Sequence, residues 1–221
     1  MKKLFVVAAL SLTGLSAFGQ GVLNFGTTFT GSFVMPIFNY DPANPFQPQF
    51  GIPSTARVTG VIPNIGTVNY GGALLQGTGF TLQLWAGSSA ATLQPLYTTT
   101  FRTATADKLP AGLISGVTSL VIPGVDAGQQ AWYQLRAWNN EDGTVTSWNQ
   151  VLNVFADHGS SAIVQSGPLG GIDFTGGVHV PNPNSTDWVS FSLIHIPEPT
   201  SVALVGLGVA MLIIRQGKRS H

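Results

Sequence analysis

The chain has 221 residues, 44% of them apolar and only 8% charged, with 27 glycines and 14 prolines: enough for one domain plus short flanking segments, cut by many turns. It has no cysteine, which excludes disulfides, thiolate metal sites and a cysteine nucleophile together. The formal net charge is zero, yet residues 20–196 hold four basic against eight acidic side chains, a net of −4, which is the wrong sign for gripping nucleic-acid phosphates.

Met1-Lys2-Lys3 is a positive start, Leu4 to Leu15 is a short apolar run, and Ala17-Phe18-Gly19 places small residues where a signal peptidase reads. This order predicts a signal peptide over residues 1–19, cut before Gln20, with Ala17 and Gly19 as the residues read. The partners it implies are the secretion translocon and signal peptidase.

The body, residues 20–196, has no helical period of useful length. A strand is expected at 22–25. Five prolines (Pro36, Pro42, Pro45, Pro48 and Pro53) make 36–53 an ordered loop or an edge crossover, because proline cannot donate to a central ladder. A further strand is expected at 57–62. Phe80, Leu82, Leu84 and Ala86 then alternate with Thr81, Gln83 and Trp85. Strands follow at 95–102 and 117–122. Ala131, Tyr133, Leu135 and Ala137 alternate with Trp132, Gln134, Arg136 and Trp138. Period two marks half-buried antiparallel strands. Asn139 to Gly143 reads as a turn, with a hairpin partner strand at 144–148. Strands are also expected at 151–155, 161–165 and 189–193. Ten or so short strands predict an all-β, antiparallel β-sandwich of jelly-roll or immunoglobulin-like type.

Chemistry is sparse. The sequence holds no zinc His-Glu-x-x-His, no Gly-x-Ser-x-Gly elbow, no phosphate loop and no dinucleotide fingerprint. Asp157-His158-Gly159-Ser160 reads as a loop, since neighbours on a turn rarely face one another as a triad requires. Nothing marks a carboxylate pair for glycoside hydrolysis. No catalytic residue, metal or cofactor is therefore expected, and the chain does not read as an enzyme. Trp132 and Trp138, on the face opposite Tyr133 and Leu135, are the candidate sugar-binding residues, because flat aromatics stack on pyranose rings. The competing places for them are the core rim or a covered sheet face.

The end of the chain is the most specific feature. Ile196-Pro197-Glu198-Pro199 leads into an apolar run from Val202 to Ile214, and Arg215, Lys218 and Arg219 close it. Thirteen helical residues reach about 20 Å, against a hydrocarbon core of roughly 30 Å, so the span is short for a durable anchor. The basic cluster predicts a cytoplasmic end. A Pro-Glu-Pro triplet, a short apolar helix and a basic terminus in last position resemble the PEP-CTERM sorting signal. The resemblance covers about 25 residues. It implies recognition of Pro197, Glu198 and Pro199 by exosortase, a membrane-embedded transpeptidase, with 202–214 as a transmembrane helix and Arg215, Lys218 and Arg219 as its stop. It also implies removal of the tail and transfer of the body to the cell surface or an exopolysaccharide matrix. The segments 79–87, 100–103 and 134–138 resemble the body of certain PEP-CTERM proteins from Verrucomicrobia-type bacteria, a resemblance that implies no activity. The expected organisation is thus a signal peptide over 1–19, an exported body over 20–196 and a sorting signal over 197–221. The expected role is structural or adhesive. A surface-held carbohydrate-binding module is the alternative, and a glycoside hydrolase is a more distant one.

Overall fold

The computed structural model describes residues 19–29, 33–54, 65–104, 111–173 and 177–197. The apolar start with Ala17, the strand expected at 57–62, and the tail from Glu198 through Pro199, the 202–214 run, Arg215, Lys218 and Arg219 lie outside the described residues. Among the described residues no helix is long and apolar enough to cross a membrane.

In chain order come β1 (Gln20–Phe25), β2 (Thr28–Phe29), β3 (Phe33–Val34), β4 (Phe80–Gly87), β5 (Gln94–Thr100), β6 (Val117–Asp126) and β7 (Gln130–Asn139). A seven-residue helix, α1 (Trp148–Val154), follows. Then come β8 (His158–Ser160), β9 (Val164–Pro168), β10 (Gly171–Asp173) and β11 (Val178–Val180). The described residues are all-β but for that helix. The main sheet runs β5-β4-β7-β8, with β9 also on β7, and every pairing in it is antiparallel. β1 pairs with β6, β2 with β3, and β10 with β11.

The two-residue period explains the core. Leu82, Leu84 and Ala86 of β4 and Ala131, Tyr133, Leu135 and Ala137 of β7 turn to one side and are buried. They meet Leu23 and Phe25 of β1, Ile122 and Val125 of β6, and Trp188, Phe191 and Leu193 near the end of the body. Each fully buried large apolar side chain contributes about 1.5–3 kcal/mol. The core therefore lies between one face of the main sheet and the β1–β6 pair. The proline-rich 36–53 stretch is an irregular segment that packs Ile37 into this core and forms isolated bridges to other irregular segments, such as Phe38 to Leu74 and Phe50 to Phe191.

β4 and β7 stand where alternation places them, and β1, β5 and β6 overlap the expected strands at 22–25, 95–102 and 117–122. Four expected strands are corrected. The stretches 144–148 and 151–155 are not strands. After the turn at Asn140–Gly143, where Glu141, Asp142 and Gly143 all take positive φ, the chain enters α1. Gln150 closes its first turn by accepting from the backbone N–H groups of Thr146 and Ser147, and Val151 is driven into a small cluster with Trp138, Val145 and Ala156. Residues 161–165 contribute strand only from Val164 onward. Residues 189–193 form isolated bridges rather than a half-buried strand, because Ser190 and Ser192 are buried as fully as Phe191 and Leu193. Two short elements, β8 and β10, carried no alternation to announce them. β8 exists because Gly159 lets it approach: a Cβ there would stand 2.5 Å from the Ser192 carbonyl oxygen.

Candidate ligand-binding face

The side of the main sheet away from the core is built by the other half of the alternation. β7 places Trp132, Gln134, Arg136 and Trp138 on it. The β4–β7 register sets Gly87 beside Trp132, Trp85 beside Gln134, Gln83 beside Arg136 and Thr81 beside Trp138. β5 adds Thr98 next to Gln83. The helix α1 covers only the Trp138 end.

That cover divides the two candidate tryptophans. Trp138 is 0% exposed. Its indole N–H donates to the Val145 carbonyl at 2.9 Å, and its ring meets Trp148 edge-on at 6.0 Å. It is a core residue of the α1 cluster and cannot serve as a sugar platform, which corrects the expectation. The physical reason is the helix itself: a strand at 144–148 would have left this end of the face open. Trp132 remains partly exposed, about 14 Å along the strand from Arg136 at 3.4 Å per residue.

The centre of the face is a different set of residues. The Arg136 guanidinium lies 3.8 Å over the Trp85 ring and 5.1 Å from the Trp148 ring. Trp148 in turn meets His158 edge-on at 5.3 Å. A cation held over an indole gains about 0.5–2 kcal/mol, so the three side chains fix one another. Amides brace them. Gln83 accepts from the Trp85 indole N–H at 2.7 Å and donates to the Thr98 hydroxyl at 2.9 Å. Gln134 accepts from Arg136 Nε at 2.9 Å and donates to the Ser161 carbonyl at 3.0 Å. Burial depresses the Arg136 pKa below its ordinary value, though a guanidinium stays protonated. Among the described residues no carboxylate stands within ion-pairing distance of Arg136, and its terminal nitrogens have no acceptor there.

A second feature lies where the body ends. A groove of about 640 Å³ is lined by residues including Glu141, Phe155, Asp157, His195 and Pro197. His195 Nδ1 and Asp157 Oδ1 are 2.7 Å apart. Asp157 thus partners a distant histidine and not His158, whose Nδ1 sits 2.8 Å from the Ala156 carbonyl. Among the described residues that line the groove, the one hydroxyl is that of Thr144, which donates to the Glu141 carbonyl. Among the described residues no three His, Asp or Glu side chains cluster as metal ligands.

Of the residues expected to form a sorting motif, Pro197 is described and exposed. Of those expected at a signal-peptide cut, Gly19 is half-buried and its carbonyl accepts from Ala127 N–H at 2.7 Å, while Gln20 is exposed and opens β1. Trp85 and Arg136 could be read from the sequence as outward residues, but their contact depends on the β4–β7 register. Trp148 was hidden by the strand reading, although Ser147-x-x-Gln150 ahead of an apolar run is a helix-start signature. Compared with known proteins, the chain matches no family model, no curated protein and no solved structure.

Proposed function

We propose that this is an exported protein of the cell surface or exopolysaccharide matrix, sorted by its C-terminal PEP-CTERM-like tail and structural or adhesive in role. The reading has no catalytic step. In it, the translocon and signal peptidase deliver the body, the 202–214 helix parks it at the inner membrane, and exosortase acts at Pro197-Glu198-Pro199. We read the layering of the main sheet against β1–β6 as a β-sandwich of jelly-roll or immunoglobulin-like type.

The observation that carries this reading is where the fold closes. Ile194 exchanges two backbone hydrogen bonds with His158, at 2.8 and 3.2 Å, and His195 N–H donates to the Pro45 carbonyl at 2.7 Å. Two residues later Pro197 is exposed. Exposure of Pro197 directly after these bonds supports access to the motif at its first residue, where proline fixes φ and withholds a donor. At the other end β1 begins at Gln20, the first residue after the expected cut.

The test is the mass of the C-terminal peptide of the native protein, compared between membrane and surface fractions. A surface form ending near Pro197–Pro199 supports sorting. An intact 202–221 segment confined to the membrane fraction replaces it with a plain anchor.

A second reading is favoured by the outer face. Partly exposed Trp85, Trp132 and Trp148, with amide side chains between them, suit a surface-held carbohydrate-binding module. This moves the sugar platform from the expected Trp132 and Trp138 pair to Trp85, Trp148 and Trp132.

A further inference from the structure

The unpaired guanidinium on the outer face is the feature the core does not explain. Charged side chains taken partly out of water are ordinarily paired, because an uncompensated charge there is costly. Arg136 is held between two indoles and braced through Nε alone. Its terminal nitrogens keep the planar fork that fits a carboxylate with two parallel hydrogen bonds. A compact ammonium could not occupy the flat slot over Trp85 in the same way.

The neighbours define the rest of a ligand. Indole faces accept the apolar C–H face of a sugar ring. Gln83 and Gln134 are committed to bracing Trp85 and Arg136, so the polar group left facing outward beside them is the Thr98 hydroxyl, which accepts from Gln83 and keeps its own proton to donate. Thr98 is exposed at the strand edge, so the face is open beyond it. The body as a whole is net negative, so long-range attraction for polyanions is absent and any anion recognition must be local.

Resting on the reading of the outer face as a binding surface, and not on the fate of the tail, we propose that it binds an acidic polysaccharide, with Arg136, held between Trp85 and Trp148, pairing a uronate carboxylate while the exposed rims of the two indoles border the sugar ring. Trp132, about four residues along β7, extends contact to a further sugar of the same chain.

The test uses the full-length chain in detergent micelles and measures retention in gels holding polygalacturonate, fully methyl-esterified polygalacturonate, cellulose derivative or dextran. Esterification keeps the sugar rings and removes only the charge. Retention on the acid is expected, with roughly tenfold or greater weakening on the ester. Arg136→Gln is expected to weaken acid binding on the order of 10- to 100-fold, the loss of one charge-assisted fork. Arg136→Lys keeps the charge and loses the fork, and is expected to fall in between. It also serves as the second variant if Arg136→Gln unfolds, as judged by circular dichroism. Equal retention on acid and ester, or unchanged acid binding in both arginine variants, overturns carboxylate pairing. Retention only on cellulose derivative or dextran overturns it while leaving the module reading intact. No retention on any polymer overturns both.

Discussion

Truncating the two tryptophans on the outer face of β7 separately measures whether α1 covers the sheet. Trp138 is 0% exposed, donates to the Val145 carbonyl and packs with Trp148, Val145 and Val151. Trp138→Ala removes that volume and orphans an acceptor, so a loss of about 3–5 kcal/mol is expected. Trp138→Phe keeps a ring and loses the donor, for about 1–3 kcal/mol. Trp132 is only partly buried, and Trp132→Ala is expected to cost about 1 kcal/mol or less. The assay is urea unfolding followed by far-ultraviolet circular dichroism, with the slopes compared to exclude a changed denatured state. Because Trp138 supports Trp148, and Trp148 flanks Arg136, Trp138→Ala should also weaken any ligand held at Arg136 without touching it. Equal unfolding midpoints for Trp138→Ala and Trp132→Ala would refute the buried position of Trp138 and, with it, the helix over this end of the face.

Alkaline pH should destabilise the body through two tyrosines. Tyr70 and Tyr133 are buried, and desolvation raises both phenol pKa values far above their ordinary value, with Asp187 adding to the effect at Tyr133. The fold needs the protonated form, so this contribution is complete below pH of about 10 and is lost as pH rises further, at about 1.4 kcal/mol per pH unit for each group. Tyr133→Phe should halve the slope of unfolding free energy against pH, and an unchanged slope would contradict the assignment. Gly159→Ala should lower the thermal midpoint sharply, because its Cβ would press on the Ser192 and Leu193 backbone. A melt like that of the unaltered chain would show that β8 does not approach so closely.

Much of the sheet was legible because burial on one face writes a period of two. Leu82, Leu84 and Ala86, and Tyr133, Leu135 and Ala137, could be assigned to the core from spacing alone, and so could the outward positions of Trp85 and Arg136. What spacing cannot supply is register, and the Trp85–Arg136 contact depends on Gln83 standing beside Arg136. The helix was misread for a local reason. Trp148, Val151, Val154 and Phe155 all favour strands, yet tertiary burial of Val151 overrides that preference. Phe155 then ends the helix at φ 57°, a left-handed turn that its side chain does not advertise. The segment 189–193 failed in the opposite sense. Its two serines looked like a solvent face, but Ser192 accepts from Gln49 N–H at 3.0 Å and Ser190 meets Met35 sulfur at 3.7 Å, so polar side chains there are buried with partners.

The closing edge of the body permits one more prediction, about what resists a pull on the tail. Besides the ring contacts of His195 with Tyr40 and Phe46, two contacts at the last described residues can be set against each other. One is backbone: the paired bonds between Ile194 and His158, and the His195 bond to Pro45. The other is the His195–Asp157 side-chain pair, whose histidine is 42% exposed. An exposed pair of this kind contributes about 1 kcal/mol or less. A buried backbone bond whose partner is left orphaned costs about 1–3 kcal/mol. Asp157→Ala should therefore leave the unfolding midpoint nearly unchanged. Ile194→Pro, which removes the donor to His158, should lower it and increase protease cutting near β8. His158 also supports Trp148, so the same change should loosen the Arg136 slot, seen as altered tryptophan fluorescence. If Asp157→Ala proves the more damaging of the two, the side-chain pair closes the body, and the β8 edge is not what isolates the fold from the tail.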